Sequence, residues 1–170
     1  MKTPKRILAP TDLSDLGKAA ISCARDYAQL FGAELHLLNV VEDYWSYYPD
    51  ANLYAAPELA CDIETMKASV EQQLAGIELP PDLKVVHAVE FGSPPWGILQ
   101  YARENDIDMI VISTHGRTGL KHLLLGSVAE KVVRHAPCQV LTVRPEGFTA
   151  EDAEIPEKAS VPAGRENADA

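Results

Sequence analysis

The sequence predicts an α/β domain: one parallel sheet of five strands with helices on both faces. Three observations predict it. Five short runs, Arg6 to Ala9, Leu35 to Val41, Leu83 to Phe91, Met109 to Ser113 and Val140 to Val143, read as strands, and Arg6 to Ala9, Met109 to Ser113 and Val140 to Val143 have the apolar pattern of buried ones. Four segments with helical spacing fall between them, and such alternation marks βαβ units with right-handed crossovers. A glycine-punctuated loop follows the fourth strand, with glycines at 116, 119 and 126. In such sheets ligands bind at the carboxyl ends of the strands.

The elements follow in order. Behind Arg6 to Ala9, Pro10-Thr-Asp-Leu-Ser-Asp15 is a loop with several capping residues. A helix is predicted from Asp15 to Phe31, because Ala20, Cys23, Ala24, Tyr27, Ala28 and Phe31 keep one apolar face. Gly32 ends it. After the second strand, residues 42–57 form a long loop with Tyr44, Trp45, Tyr47, Tyr48 and Tyr54, which reads as a cover for the crevice or a partner surface. Glu58 to Ala75 is the second helix, closed by Gly76, and Pro80-Pro81 is a turn. Ser93 is an N-cap with Pro94 in the first helical position, so a third helix starts there. Ser127-Val-Ala-Glu130 reads as a capping box for a last helix from Val128 to His135, which stops before Pro137.

Length and composition bound the function. A chain of 170 residues with 46% apolar content suits one domain with a sizeable core. Three cysteines without paired spacing make a disulfide framework or a cysteine metal site a poor fit, and a reducing cytoplasm is expected. Pro10 and Asp12 interrupt the first apolar run, so it is no signal peptide, and no run is long enough for a membrane span. The net charge is −10, and residues 146–170 carry seven acids against two bases. The reading is therefore a domain over residues 1–145 and an acidic, disordered tail over residues 146–170, with no nucleic-acid or membrane partner.

The chemistry concentrates between Met109 and Val143. A strand end, a glycine-rich loop and a helix N-terminus face one another there, and Arg117 and Lys121 add cations. That is a phosphate cradle without a Walker A sequence, and no G-x-G-x-x-G occurs in the chain. The run Ser113-Thr-His-Gly116-Arg-Thr-Gly-Leu-Lys-His-Leu-Leu-Leu-Gly126-Ser127 closely resembles the signature of the universal stress protein family. Its ATP-binding branch carries G-x2-G-x9-G-[ST] here; Gly116, Gly126 and Ser127 match, and Ser113 stands where the first glycine would. Ile7-Leu-Ala-Pro-Thr-Asp12 with Ser14, Leu37-Leu-Asn-Val40-Val41 and Ala136-Pro137-Cys138-Gln-Val-Leu extend the resemblance over residues 4–145.

The resemblance implies strand order 3-2-1-4-5, a two-fold dimer through the edge strand Gln139 to Val143, and an ATP site with Mg²⁺ or Mn²⁺. Carried over residue by residue, that site comprises Pro10, Thr11, Asp12, Val40, Ile112, Ser113, His115, Gly116, Arg117, Gly126, Ser127 and Val128. Adenine would lie near the Val40 backbone, ribose near Asp12, and phosphates along the loop and the Ser127 helix start. No residue stands out as a dedicated base, so any ATP hydrolysis is expected to be slow. Two other readings remain open: a nucleotide-free interaction module, and a hydrolase of adenylate-type substrates. Simpler roles compete at several positions. Asp12 suits a turn, Ser127 caps a helix, and His115 is a solvated loop residue. At 113, a glycine needed for a left-handed backbone would leave serine strained by roughly 1–3 kcal/mol. A glycine needed only for close approach would leave room for a hydroxyl.

Overall fold

The computed structural model of the chain describes residues 3–42, 57–114 and 125–144. The aromatic loop, most of the glycine-rich loop and the acidic tail lie outside them. The order of elements is β1 (Arg6–Pro10), α1 (Lys18–Phe31), β2 (Glu34–Val41), α2 (Pro57–Ala75), β3 (Val85–Phe91), α3 (Pro94–Glu104), β4 (Met109–Ser113), α4 (Ser127–His135) and β5 (Gln139–Val143). The sheet runs β3-β2-β1-β4-β5, parallel throughout. This is the expected doubly wound order, with β5 at one edge.

Strand alternation divides the core into two layers. Ile7, Ala9, Leu35, Leu37 and Val111 face one side, where they pack with Ala20, Ile21, Ala24 and Ala28 of α1 and Leu74 of α2. Leu8, Leu38, Ile110 and Ile112 face the other, against Ile98, Tyr101 and Ala102 of α3 and Ala129 and Val132 of α4. The small residues of α1 let that helix lie close to the sheet.

Several boundaries differ from the sequence reading. The first helix does not begin at Asp15: Asp15–Gly17 forms a 3-10 turn, and α1 starts at Lys18. Leu13 adopts a left-handed backbone, φ 61°, which delays the helix. Gly32 closes α1 in the left-handed conformation, as expected. β2 starts one residue early, at Glu34, and β3 two residues late, because the Leu83 N–H is drawn back to the Pro80 carbonyl at 3.1 Å. Ser93 does occupy the N-cap position of α3, but its side chain makes no capping hydrogen bond. Ser127 is not an N-cap. Gly126 is, with an extended backbone, and Ser127 is the first helical residue.

One buried polar group ties β2 to α3. His36 is 4% exposed, with Nδ1 2.9 Å from the Tyr101 hydroxyl and Nε2 3.0 Å from Glu34 Oε1. With the carboxylate accepting from Nε2–H, Nδ1 accepts from the tyrosine O–H. Burial, then the charges of Glu90 and Glu34, raise the Tyr101 pKa above its usual value, so the phenol stays a donor. Tyr101→Phe leaves that ring nitrogen without its donor. The expected loss is about 1–2 kcal/mol, read as a lower urea midpoint with unchanged slope.

Cys138 joins the second core layer. Burial, with a smaller contribution from Asp108, pushes its thiol up to about 11. The reactive thiolate is then scarce at neutral pH. Iodoacetamide should label the Cys138 peptide slowly in the native protein, with a rate rising about tenfold per pH unit between about pH 7 and pH 9. A flat rate, measured by peptide mass mapping, would show that the thiol is not held protonated.

Candidate functional site

The site begins where the sheet divides. β1 pairs with β2 along its whole length, and β4 with β5 along its whole length. Between β1 and β4 the register covers only Ile7 with Met109 and Leu8 with Ile110. Past that point the strands keep to their outer neighbours: the Thr11 N–H donates to the Leu38 carbonyl at 2.8 Å, and the Thr114 N–H to the Val143 carbonyl at 2.9 Å. Pro10 has no N–H to offer β4. The carboxyl ends of β1 and β4 therefore open a crevice at the topological switch point.

The β1 side of the crevice is a tightly bonded turn. The Asp12 Oδ1 accepts from the Ser14 N–H at 3.0 Å and from the Ser14 hydroxyl, an Asx turn. The Thr11 Oγ1 accepts from the Leu13 N–H at 3.0 Å. Asn39, missed as a site residue, holds this turn to β2: it is 5% exposed and its Nδ2 donates to the Thr11 carbonyl at 2.8 Å. Its signal in the sequence was a lone amide in an apolar run. Val40 follows, half-buried. A Cβ built on Gly97 would lie 2.9 Å from its Cγ1, so α3 can sit this close to β2 only with glycine there.

The β4 side carries Ile112, Ser113 and Thr114. Ser113 ends β4 in extended pairing with Val143. Among the described non-glycine residues, the left-handed conformation is found at Leu13 and Asp106, so serine at 113 carries no such strain. Its hydroxyl donates to the Leu16 carbonyl at 3.2 Å, across the gap between β4 and the turn behind β1. The loop after Thr114 is clasped at its far end: the Gly126 N–H donates to the Thr114 carbonyl at 2.7 Å. A Cβ on Gly126 would stand 3.0 Å from that same oxygen. Glycine is needed here for close approach, its φ of −68° being open to any residue.

Gly126, Ser127 and Val128 then form the start of α4, whose first N–H groups face the crevice end of the sheet. Glu130 does not fold back to complete a capping box. Its carboxylate pairs with Arg134 at 2.8 Å, one turn along the helix, so it competes less with an anion at the helix start. Leu125 and Val128 pack under this region in the second core layer. Pro10, Thr11, Asp12, Val40, Ile112, Ser113, Gly126, Ser127 and Val128 thus gather at one end of the sheet. His115, Gly116 and Arg117 lie outside the described residues. Among the described residues, no three His, Cys, Asp or Glu side chains form a metal cluster. A divalent ion here would depend on phosphates, with Asp12 as the nearby carboxylate.

Residues 3–144 match the model of the universal stress protein family. The chain belongs to that family. A universal stress protein of Methanocaldococcus jannaschii is 33% identical over 143 residues, covering 82% of each chain. The solved universal stress protein UspA from Lactobacillus plantarum is 30% identical, with a TM-score of 0.63, and covers 85% of this chain and 100% of its own. A universal stress protein solved in complex with cAMP shares the fold at 21% identity and a TM-score of 0.54, covering 84% of this chain and 98% of its own. No helix among the described residues is long and apolar enough to cross a membrane.

Proposed function

We propose that this universal stress protein is a cytoplasmic, homodimeric regulatory module that binds an adenine nucleotide, ATP, in the crevice between β1 and β4. The observation that carries the reading is the division of the sheet after Leu8 and Ile110, which opens a site between Asp12 and the clasped start of α4. Adenine would lie by the Val40 backbone, the ribose hydroxyls by Asp12, and the phosphates against the N–H groups of α4. Mg²⁺ or Mn²⁺ would accompany the phosphates and offset their charge. That a protein of the same fold was solved with cAMP supports the ligand class. Ser113 supports a role in positioning: its hydroxyl braces the turn behind Asp12.

The test is direct. The protein is purified without added nucleotide and denatured, and what it releases is identified by mass. The emptied protein is then titrated with Mg-ATP by calorimetry. Retained ATP, or binding in the micromolar range, is the expected result. No release and no binding at millimolar ATP would overturn the reading. The second reading, a nucleotide-free interaction module, would then stand, since the Ser113 hydroxyl fills space that a glycine would leave open. The dimer would use β5, whose outer side has no strand neighbour among the described residues. Sedimentation at micromolar concentration should give twice the chain mass. Limited proteolysis should remove the acidic tail over residues 146–170 and leave the domain whole.

A further inference from the structure

A second cleft, of about 570 Å³, opens on the α1 side of the sheet, between α1 and the segment that follows α2. Sites for small molecules commonly span a few hundred to about 1,000 Å³. α1 presents Lys18, Ile21 and Arg25 to this cleft. Their spacing puts all three on one helix face, with the cations about 10 Å apart along the axis. Ile77 and Leu79 supply an apolar opposite wall, and Leu13 closes the end nearest β1. Ile21 is 7% exposed and belongs to the core, so the floor of the cleft is fixed.

The two cations can exchange partners at small cost. Lys18 pairs with Asp15 and Arg25 with Asp26; Lys18, Asp15 and Asp26 are exposed, by 73%, 90% and 63%, and Arg25 is half-buried at 35%. Pairs whose carboxylates stand this far in solvent are held weakly, so an incoming anion can replace them. Glu78 lines the cleft beyond α2 and repels an anion there, which directs the charged end of a ligand to α1. A floor and wall of aliphatic side chains beside two displaceable cations fit one chemistry.

We propose that this cleft is a second ligand site for a small amphiphilic anion, a single carboxylate or sulfonate on an apolar body. It is separate from the nucleotide crevice but not independent of it. Thr11, Leu13 and Ser14 line the cleft, and Thr11 and Ser14 also bond the turn that carries Asp12. A ligand pressing on Leu13 moves the same turn.

The test uses the nucleotide-free full chain, so it stands apart from the ATP reading. Anilinonaphthalene sulfonate is titrated by fluorescence and then displaced with decanoate. The expected result is saturable one-to-one binding that decanoate reverses. Lys18→Gln with Arg25→Gln should weaken it at least about tenfold without moving the urea midpoint, whereas Lys18→Arg with Arg25→Lys should keep it. No saturation up to millimolar probe would overturn the proposal, as would equal affinity in the double glutamine variant.

Discussion

Gly126→Val is expected to remove measurable Mg-ATP binding and to lower stability by about 2–3 kcal/mol. The reason is the clasp at the foot of the glycine-rich loop. The Thr114 carbonyl oxygen lies 2.7 Å from the Gly126 nitrogen and would lie 3.0 Å from any Cβ at 126. That oxygen is backbone, so it moves only with the chain around it, and the Thr114 N–H anchors that chain to β5 at 2.9 Å. A branched side chain must therefore push the two loop ends apart. The hydrogen bond is stretched, and the first turn of α4 shifts with its N–H groups. Gly126→Ala places only one carbon there and should cost about 1 kcal/mol, with weakened rather than absent binding. The backbone angles suit both substitutions, so the gradation reads crowding alone. Urea unfolding and calorimetry on the two variants check it. Native affinity in the valine variant would show that the clasp does not shape the site.

The three central strands, β2, β1 and β4, were legible because they are interior. A run such as Met109–Ser113, covered on both faces, can hardly be anything else between two helical segments. The helix starts were less legible, because capping patterns are shared by competing geometries. Ser127 and Glu130 have capping-box spacing, yet the Gly126 carbonyl takes the Glu130 N–H and the Glu130 carboxylate goes forward to Arg134. The same holds at Asp15, where the left-handed Leu13 postpones α1 by three residues. Of the candidate site, the residue types at the strand ends were readable, and the opening between them was not. Register between β1 and β4 is a pairing fact, hinted at only by Pro10. Ser113 shows the limit most plainly. Sequence left two accounts of that position open, and the extended backbone, with the hydroxyl bonded to Leu16, removes the account that needs left-handed strain.

Asn39→Asp is expected to destabilise the protein by about 3–5 kcal/mol near pH 7, more than any other change of comparable size at the crevice. The amide is 5% exposed and its Nδ2 donates to the Thr11 carbonyl at 2.8 Å. The exchange puts a charged acceptor against an acceptor, in a place where water cannot compensate. Protonation restores a donor, so the new carboxyl has a native pKa above its unfolded value of about 3.9. The native state then binds that proton more tightly than the unfolded state does. The loss is therefore full above the raised native pKa, shrinks as pH falls through it, and levels off below about pH 4. Asn39→Leu separates the charge from the missing hydrogen bond. It leaves the Thr11 carbonyl without this donor, for about 1–3 kcal/mol, and adds no titrating group. Urea midpoints of the three proteins at about pH 7 and pH 5 decide the matter. The aspartate variant should recover relative to the native chain at the lower pH, and the leucine variant should not. Equal losses at both pH values would mean that this amide does not face the carbonyl in solution. Because Thr11 leads directly into the turn that carries Asp12, both variants should also bind Mg-ATP more weakly under conditions where they remain folded.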